Sequence, residues 1–296
     1  MTVSGVSDAI RVVVTPVALR PREWQLVLPL TLFCALFFVS PLVLLAIVSF
    51  FTTPRLEVIG AAQYMKFFGD PFNWGVLFDT LALGVKTVAA TAIVALPLAL
   101  LFVELRPRLQ ALLLFVIVLP LLTSVVVRTF AWVVILGREG LINTVVLQLG
   151  LSPTPLRLLH TEFGLILALS QIEMPLMLLP LVSVMSRMDP NLKDASAALG
   201  AGRWRTLFQV VLPLSVPGLL AGCMLVFASS VTAFVSQTIV GGGRLIFLPF
   251  YIWQQATTLY NWPFAAAISV VLLLSVMVVL ALLITLARRS RGYVYG

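Results

Sequence analysis

The chain has 296 residues, of which 61% are hydrophobic and only 10% are charged. Soluble domains carry about 25% charged residues, so this composition excludes a water-soluble globular protein and indicates lipid as the main solvent. The net charge of +8 would fit a nucleic-acid partner if the basic residues formed one patch on a soluble face. They lie instead mainly in short segments between apolar runs, so we expect no nucleic-acid partner and interpret the charge as a membrane-topology signal.

Six apolar runs follow one another along the chain, and a helix that crosses a bilayer needs about 20 such residues. Backbone groups in lipid need internal hydrogen bonds, so each run is predicted to be an α-helix. The predicted spans are 27–51, 80–103, 111–136, 164–186, 211–239 and 264–287. The sequence therefore predicts an all-α integral membrane protein, with a six-span domain over 27–287, an N-terminal segment over 1–26 and a C-terminal tail over 288–296.

The basic residues predict the orientation of these spans. Twelve of the nineteen Lys and Arg residues lie in the N-terminal segment, the second and fourth loops and the C-terminal tail, whereas the other loops hold five. Loops rich in Lys and Arg stay in the cytoplasm. Both termini are therefore predicted to be cytoplasmic, which also places the loop at about 187–209 on the cytoplasmic side.

Proline recurs within the predicted spans. It removes a backbone donor and bends a helix, and membrane proteins tolerate this where neighbouring helices or a water-filled cavity satisfy the freed groups. The prolines concerned are Pro41, Pro97, Pro120, Pro175, Pro180, Pro213 and Pro217. So many bends favour a moving, solute-handling bundle over a passive anchor.

Ionisable residues inside spans are candidates for function. Glu173 in the fourth span needs a cavity or a partner, which is either a cationic amine of a solute or Arg128 in the third span. Arg128 would repel a cationic cargo, so we expect it to have a structural or gating role. Lys86 in the second span either extends its amine to the interface or pairs with Asp79. The full set of solute-pathway candidates is Glu173, Arg128, Thr123, Ser124, Gln171 and Trp132.

The loop between the fourth and fifth spans carries a short helix signal. Asp189 followed by Pro190 is typical of a helix start, and Gly200 supplies a stop. Within this helix Leu192, Ala195 and Leu199 form one apolar stripe. Such a helix suits either a groove of another protein or the lipid headgroup layer. A second helix is predicted to start at Arg203 and to run into the membrane at 210–213.

The same loop resembles a known motif. It carries Asp194-Ala195-Ser196, followed by three residues, Gly200, nine further residues and 210–213 (Val-Val-Leu-Pro). This pattern resembles the EAA motif of ABC importer permeases, with Asp in place of Glu, Ser in place of the second Ala and Val in place of Ile. The resemblance implies a six-helix transmembrane bundle of the ABC importer permease type. It also implies that this loop couples the bundle to an ATPase through Asp194, Ala195, Ser196, Ala198, Leu199, Gly200 and Arg203.

Four further segments, 119–124, 127–132, 137–143 and 261–267, resemble the spermidine/putrescine permease branch. The resemblance implies a bacterial inner-membrane subunit that works with two ATPase subunits, a second homologous permease and a periplasmic solute-binding protein. The sequence has no G-x-x-x-x-G-K-[ST] run, so we expect a transport subunit without enzymatic activity, with ATP and Mg on the ATPase and no cofactor on this chain.

Several alternatives remain open at this point. The solute is a polyamine, another small organic molecule or a metal ion, and the second permease is an identical or a related chain. An ion-coupled secondary transporter would also use bent helices and buried charges, but it usually shows paired internal repeats with interrupted helices.

Overall fold

A computed structural model describes residues 21–189 and 191–291. Over these residues the chain is helical, and its one β-contact is an isolated bridge between Phe51 and Ile59. This confirms the predicted all-α class. The chain divides into two compact units, residues 1–47 and 48–296. The first contains most of α1 (Pro21–Ser49), which is long and apolar enough to cross a membrane.

The second unit holds the remaining helices. They are α2 (Ala62–Gly69), α3 (Pro71–Glu104), α4 (Pro107–Val118), α5 (Val125–Leu136), α6 (Leu141–Gln148), α7 (Glu162–Ile172), α8 (Met174–Met185), α9 (Asn191–Ala198), α10 (Arg203–Thr206), α11 (Leu212–Val231), α12 (Phe234–Gly241), α13 (Leu248–Trp253) and α14 (Trp262–Arg291). A π-helical turn, Leu207–Val211, joins α10 to α11.

Five helical segments of the described chain are long and apolar enough to span a membrane, or six when the bent pair α7–α8 counts as one span. The segments are Val27–Ser49, Pro71–Glu104, Val125–Gln148, Arg203–Val231 and Trp262–Thr285. A multi-span helical protein is thus confirmed. The second span begins earlier than the predicted residue 80, because the helix already starts at Pro71 with its first turn capped by Asp70.

Three of the predicted spans are interrupted, and the break in the fourth, between α7 and α8, lies at Glu173. The third, predicted as one helix over 111–136, stops at Val118, passes through a 3₁₀ turn (Leu119–Leu122) and resumes at Val125, since Thr123 is extended. Pro120 contributes to this break because it cannot donate a backbone hydrogen bond. The fifth, predicted to reach residue 239, ends at Val231, and α12 starts afresh at Phe234.

Helix α11 lies against both α3 and α8, and glycines permit the closest of these approaches. A Cβ added at Gly222 would lie 2.6 Å from the Met177 sulfur and 2.9 Å from the Met177 carbonyl oxygen. One turn earlier, a Cβ at Gly218 would lie 2.9 Å from the Pro180 carbonyl oxygen. Small residues four apart let helix backbones meet in membranes, so Gly218 and Gly222 fix the α8–α11 contact.

We expect Gly222→Leu to destabilise the bundle by about 1–3 kcal/mol, the usual cost of overpacking a filled interior. The matched control is Gly75→Leu, since a Cβ at the helical Gly75 meets no atom within 4 Å. Thermal unfolding in detergent should show a lower midpoint for Gly222→Leu and an unchanged or higher one for Gly75→Leu. Equal midpoints for the two variants would contradict the close α8–α11 contact.

Candidate functional site

Glu173 lies at the bend of the fourth predicted span. It ends α7 and precedes α8, whose axis is turned by 46°. Pro175 follows two residues later and has no N–H to continue the helical hydrogen bonds. The break leaves Glu173 only 6% exposed, so its carboxyl group is held inside the protein.

A cavity of about 380 Å³ opens beside Glu173. It is enclosed by the start of α5, the α7–α8 bend and the end of α11 with the start of α12. Its walls are Leu121, Val125, Arg128, Ile172, Glu173, Leu176, Ser229, Thr232, Ala233, Phe234, Val235 and Ser236. The three breaks in the predicted spans, at 119–124, at Glu173 and at 232–233, therefore all border this one cavity.

The cavity holds two opposite charges that are not directly paired. Glu173 lies close to Ser229 in the cavity wall and experiences the charge of Arg128 through space. Among the described residues, however, the structure has an ion pair only between Lys86 and Glu162. The Nε and Nη1 atoms of Arg128 are buried without a hydrogen-bond partner. The sequence left open whether Glu173 pairs with Arg128, and the structure brings them to the same cavity without contact.

Two more pathway candidates bond to each other near this cavity. The Trp132 indole Nε1 donates to Gln171 Oε1 at 3.0 Å, which joins α5 to α7 one turn beyond Arg128. Thr123 and Ser124 behave differently, since both are exposed and neither lines the cavity. The Thr123 hydroxyl donates to the Pro120 carbonyl at 2.7 Å. Of the six candidates, Glu173 and Arg128 line the cavity, Gln171 and Trp132 bond to each other outside its lining, and Thr123 and Ser124 also lie outside it.

Lys86 lies 2.5 Å from Glu162 on α7, so the alternative partner Asp79 is wrong. Asp79 and Lys86 are seven residues apart on α3, which separates them by about 10 Å along the axis. Both side chains of the observed pair are about half exposed, and such pairs contribute about 0–1 kcal/mol.

The loop helix α9 is capped at both ends. At its start, Asp189 Oδ1 accepts the Asn191 N–H at 3.0 Å, as predicted for an N-cap; Pro190 lies outside the described residues. At its end, Gly200 has φ +79°. The Ala201 N–H donates to the Ser196 carbonyl and the Gly200 N–H to the Ala197 carbonyl, which is the Schellman arrangement that favours glycine. An eight-residue helix is thereby fixed in place.

Helix α9 is tied to α10 and presents apolar groups outward. Ser196 and Thr206 share a hydrogen bond of 2.9 Å between their hydroxyls. Leu199 is 87% exposed and Trp204 is 74% exposed, and Trp204 stacks with Phe208. Asp194, Ala195, Ala198 and Arg203 are exposed as well. The segment 191–208 is therefore a rigid surface with large uncovered apolar side chains.

One continuous helical run connects this surface with the cavity. Arg203 to Val231 forms one helical run of 29 residues, about 43 Å long at 1.5 Å per residue. Ser229 and Thr232, at its far end, line the cavity beside Glu173. The predicted helix from Arg203 that runs into the fifth span is thus confirmed, and the structure adds that the far end of this run lines the cavity. Among the described residues no group of three or more His, Cys, Asp or Glu side chains is placed to hold a metal.

Comparison with known proteins gives a consistent result. Residues 93–291 match the family described as binding-protein-dependent transport system inner membrane component. The chain is 32% identical over 259 residues to the spermidine/putrescine transport system permease protein PotB of Haemophilus influenzae, covering 86% of this chain and 88% of that protein. It is 30% identical over 203 residues to PotB of Escherichia coli, covering 69% and 74%.

A solved structure shares the fold. The chain superimposes on a bacterial ABC transporter involved in alginate import with a TM-score of 0.75 at 18% identity, covering 90% of this chain and 96% of that one.

The family match covers the bent span, the capped loop and the continuous α10–α11 run together. The chain therefore belongs to the inner-membrane permease family of binding-protein-dependent ABC transport systems, and it is a transport subunit.

Proposed function

We propose that this chain is the permease subunit of an ATP-driven importer that moves a polyamine, such as spermidine or putrescine, into the bacterial cytoplasm. A periplasmic solute-binding protein delivers the solute, and the bundle transports it by alternating access. Two ATPase subunits and a second, homologous permease complete the assembly. ATP and Mg are bound by the ATPase, and this chain needs no cofactor of its own.

The observation that carries this proposal is the capped helix α9 with its exposed Leu199. A short helix with uncovered apolar side chains is suited to a groove of another protein, and its place within the family match supports an ATPase as the occupant. Both termini are proposed to lie in the cytoplasm on the charge argument, which puts α9 on the side where ATP is available.

The continuous helical run from Arg203 to Val231 supports the coupling mechanism. A helix resists compression, so displacement of α9 and α10 by a closing ATPase is carried along α11 to Ser229 and Thr232 at the cavity. There the three breaks allow the neighbouring segments to tilt. Solute access thus changes at the cavity when ATP-driven closure occurs at the loop.

The cargo assignment rests on Glu173 and on the relatives. A buried carboxylate in an apolar cavity favours an ammonium ligand, and the similar PotB proteins carry names that specify spermidine and putrescine. An anionic solute is a second candidate, since Arg128 has two buried donors without an acceptor. A molybdenum transport permease, ModB of Escherichia coli, is 31% identical over 53% of this chain.

We expect Leu199→Asp to abolish recovery of the ATPase with the tagged chain in mild detergent, because a charge replaces an apolar docking group. Leu151→Asp is the matched control, since Leu151 is 73% exposed and lies in the α6–α7 loop. Retention of the ATPase by Leu199→Asp, or equal loss in both variants, would contradict α9 as the docking helix.

We expect Gly200→Val to strain the positive-φ position by about 1–2 kcal/mol and to lower solute uptake, because the strain disrupts the C-terminal cap of α9. The spans remain inserted because the strain is confined to the loop. Gly202→Val is the control, since Gly202 has φ −72° and its Cβ meets nothing within 4 Å. Normal uptake by Gly200→Val cells would count against the coupling role of this loop.

We expect Glu173→Gln to lower uptake of labelled putrescine by about tenfold or more, as loss of a buried charge-assisted hydrogen bond does. Glu162→Gln, which changes an exposed carboxylate, should leave uptake near normal. If Glu173→Gln cells take up putrescine normally, Glu173 does not bind the cargo.

A further inference from the structure

The Arg128 guanidinium is incompletely bonded in a place where this is costly. Its Nε and Nη1 atoms are buried without an acceptor, and a buried charge without hydrogen bonds or a partner is strongly unfavourable. Arg128 as a whole is half-buried, and its two buried donors gain from any acceptor that comes within hydrogen-bond distance. That acceptor comes from a solute or from another group at the same cavity.

Within the cavity wall, Glu173 is the acceptor with capacity to spare. A carboxylate accepts about four hydrogen bonds, and among the described residues Glu173 forms no ion pair. The hydroxyls of Thr232 and Ser236 bond to the Ala228 carbonyl at 2.8 Å and to the Thr129 hydroxyl at 3.1 Å, and as neutral acceptors they bind a guanidinium more weakly than a carboxylate does. Among the described residues that line this cavity, no other side chain is acidic.

Both charges stand at points where the backbone changes direction. Glu173 occupies the 46° bend between α7 and α8. Arg128 lies in the first turn of α5, where its N–H donates to the carbonyl of Ser124 directly after the extended Thr123. A tilt of α5 or α8 at these breaks changes the separation of the two side chains without unwinding either helix.

We propose that Arg128 is an internal cation that pairs with Glu173 when the cavity closes without solute, and that the ammonium group of a cargo displaces it. This inference rests on the proposed function. One carboxylate serves two cations in turn, so the ion pair stabilises the resting bundle and solute binding releases it. Arg128 thereby becomes a specificity-determining residue, because a neutral or anionic solute does not compete for Glu173.

The test is a double-mutant cycle on the complete transporter in lipid nanodiscs, with ATPase and second permease present and binding protein and solute absent. We expect R128Q and E173Q each to raise the resting ATP hydrolysis rate at least about fivefold, the lower end of typical coupling between sites. The resting ATP hydrolysis rate of R128Q/E173Q should equal that of each single variant, since the same ion pair is lost in all three. R128K keeps a cation and should restore the low resting rate.

The control cycle uses K86Q and E162Q, which remove an exposed ion pair and should leave the resting rate unchanged. A double variant whose effect multiplies those of the single variants, or R128K behaving like R128Q, would overturn the proposal. If R128Q fails to assemble, R128E/E173R takes its place. Recovery of the low resting rate by this exchange supports the pair, and a raised rate or lost assembly overturns it.

Failure of the inference is distinct from failure of the proposed function. If no ATPase is recovered with the tagged wild-type chain, or if cells that carry it import no putrescine, the proposed function is wrong. The pairing of Arg128 with Glu173 in place of a cargo amine is then wrong as well, since it rests on that function. A wild-type complex that imports putrescine and shows independent effects at Arg128 and Glu173 removes the inference alone. If molybdate stimulates ATP hydrolysis by the wild-type complex and R128Q abolishes that stimulation, Arg128 binds an anionic cargo and the proposed pairing is overturned.

Discussion

The need to satisfy backbone hydrogen bonds away from water governs this structure. In lipid an unbonded N–H or C=O costs several kcal/mol, so the chain crosses as helices, and every interruption must be compensated by neighbouring protein or by a wet cavity. The second unit has three such interruptions, at 119–124, at Glu173 and at 232–233. Because all three border the same cavity, the freed backbone groups and the polar side chains share one location.

The helices around the cavity differ in how firmly they are held. Gly218 and Gly222 bring α11 within direct backbone contact of α8, and Gly84 places α3 against Phe227 and Val231 of α11. These contacts have no room for change, since close-packed interiors respond to even one methylene. Under the proposed mechanism α11 is therefore expected to move together with α8, and the changes of direction fall at the breaks.

The cavity and the loop obey different physical requirements. At the loop, caps on both ends of α9 make an otherwise marginal eight-residue helix persist, which leaves Leu199 and Trp204 uncovered in a defined geometry. At the cavity, the buried Glu173 and the half-buried Arg128 line the same wall without an ion pair between them. The capped helix α9 and the unpaired charges at the cavity together suit the proposed mechanism, in which docking of the ATPase at the loop changes solute access at the cavity.

The sequence by itself determined the helical class, the succession of spans and the capped loop, because apolar length, charge placement and the Asp189 and Gly200 signals act locally. It also singled out Glu173 and Arg128, because charges in apolar runs stand out wherever the chain folds. Only the tertiary structure decided that the third and fifth predicted spans are interrupted, that Lys86 meets Glu162 rather than Asp79, and that the three breaks converge. These features depend on which segments lie side by side, and residues such as Thr232 and Gly222 acquire their roles from neighbours remote in the chain.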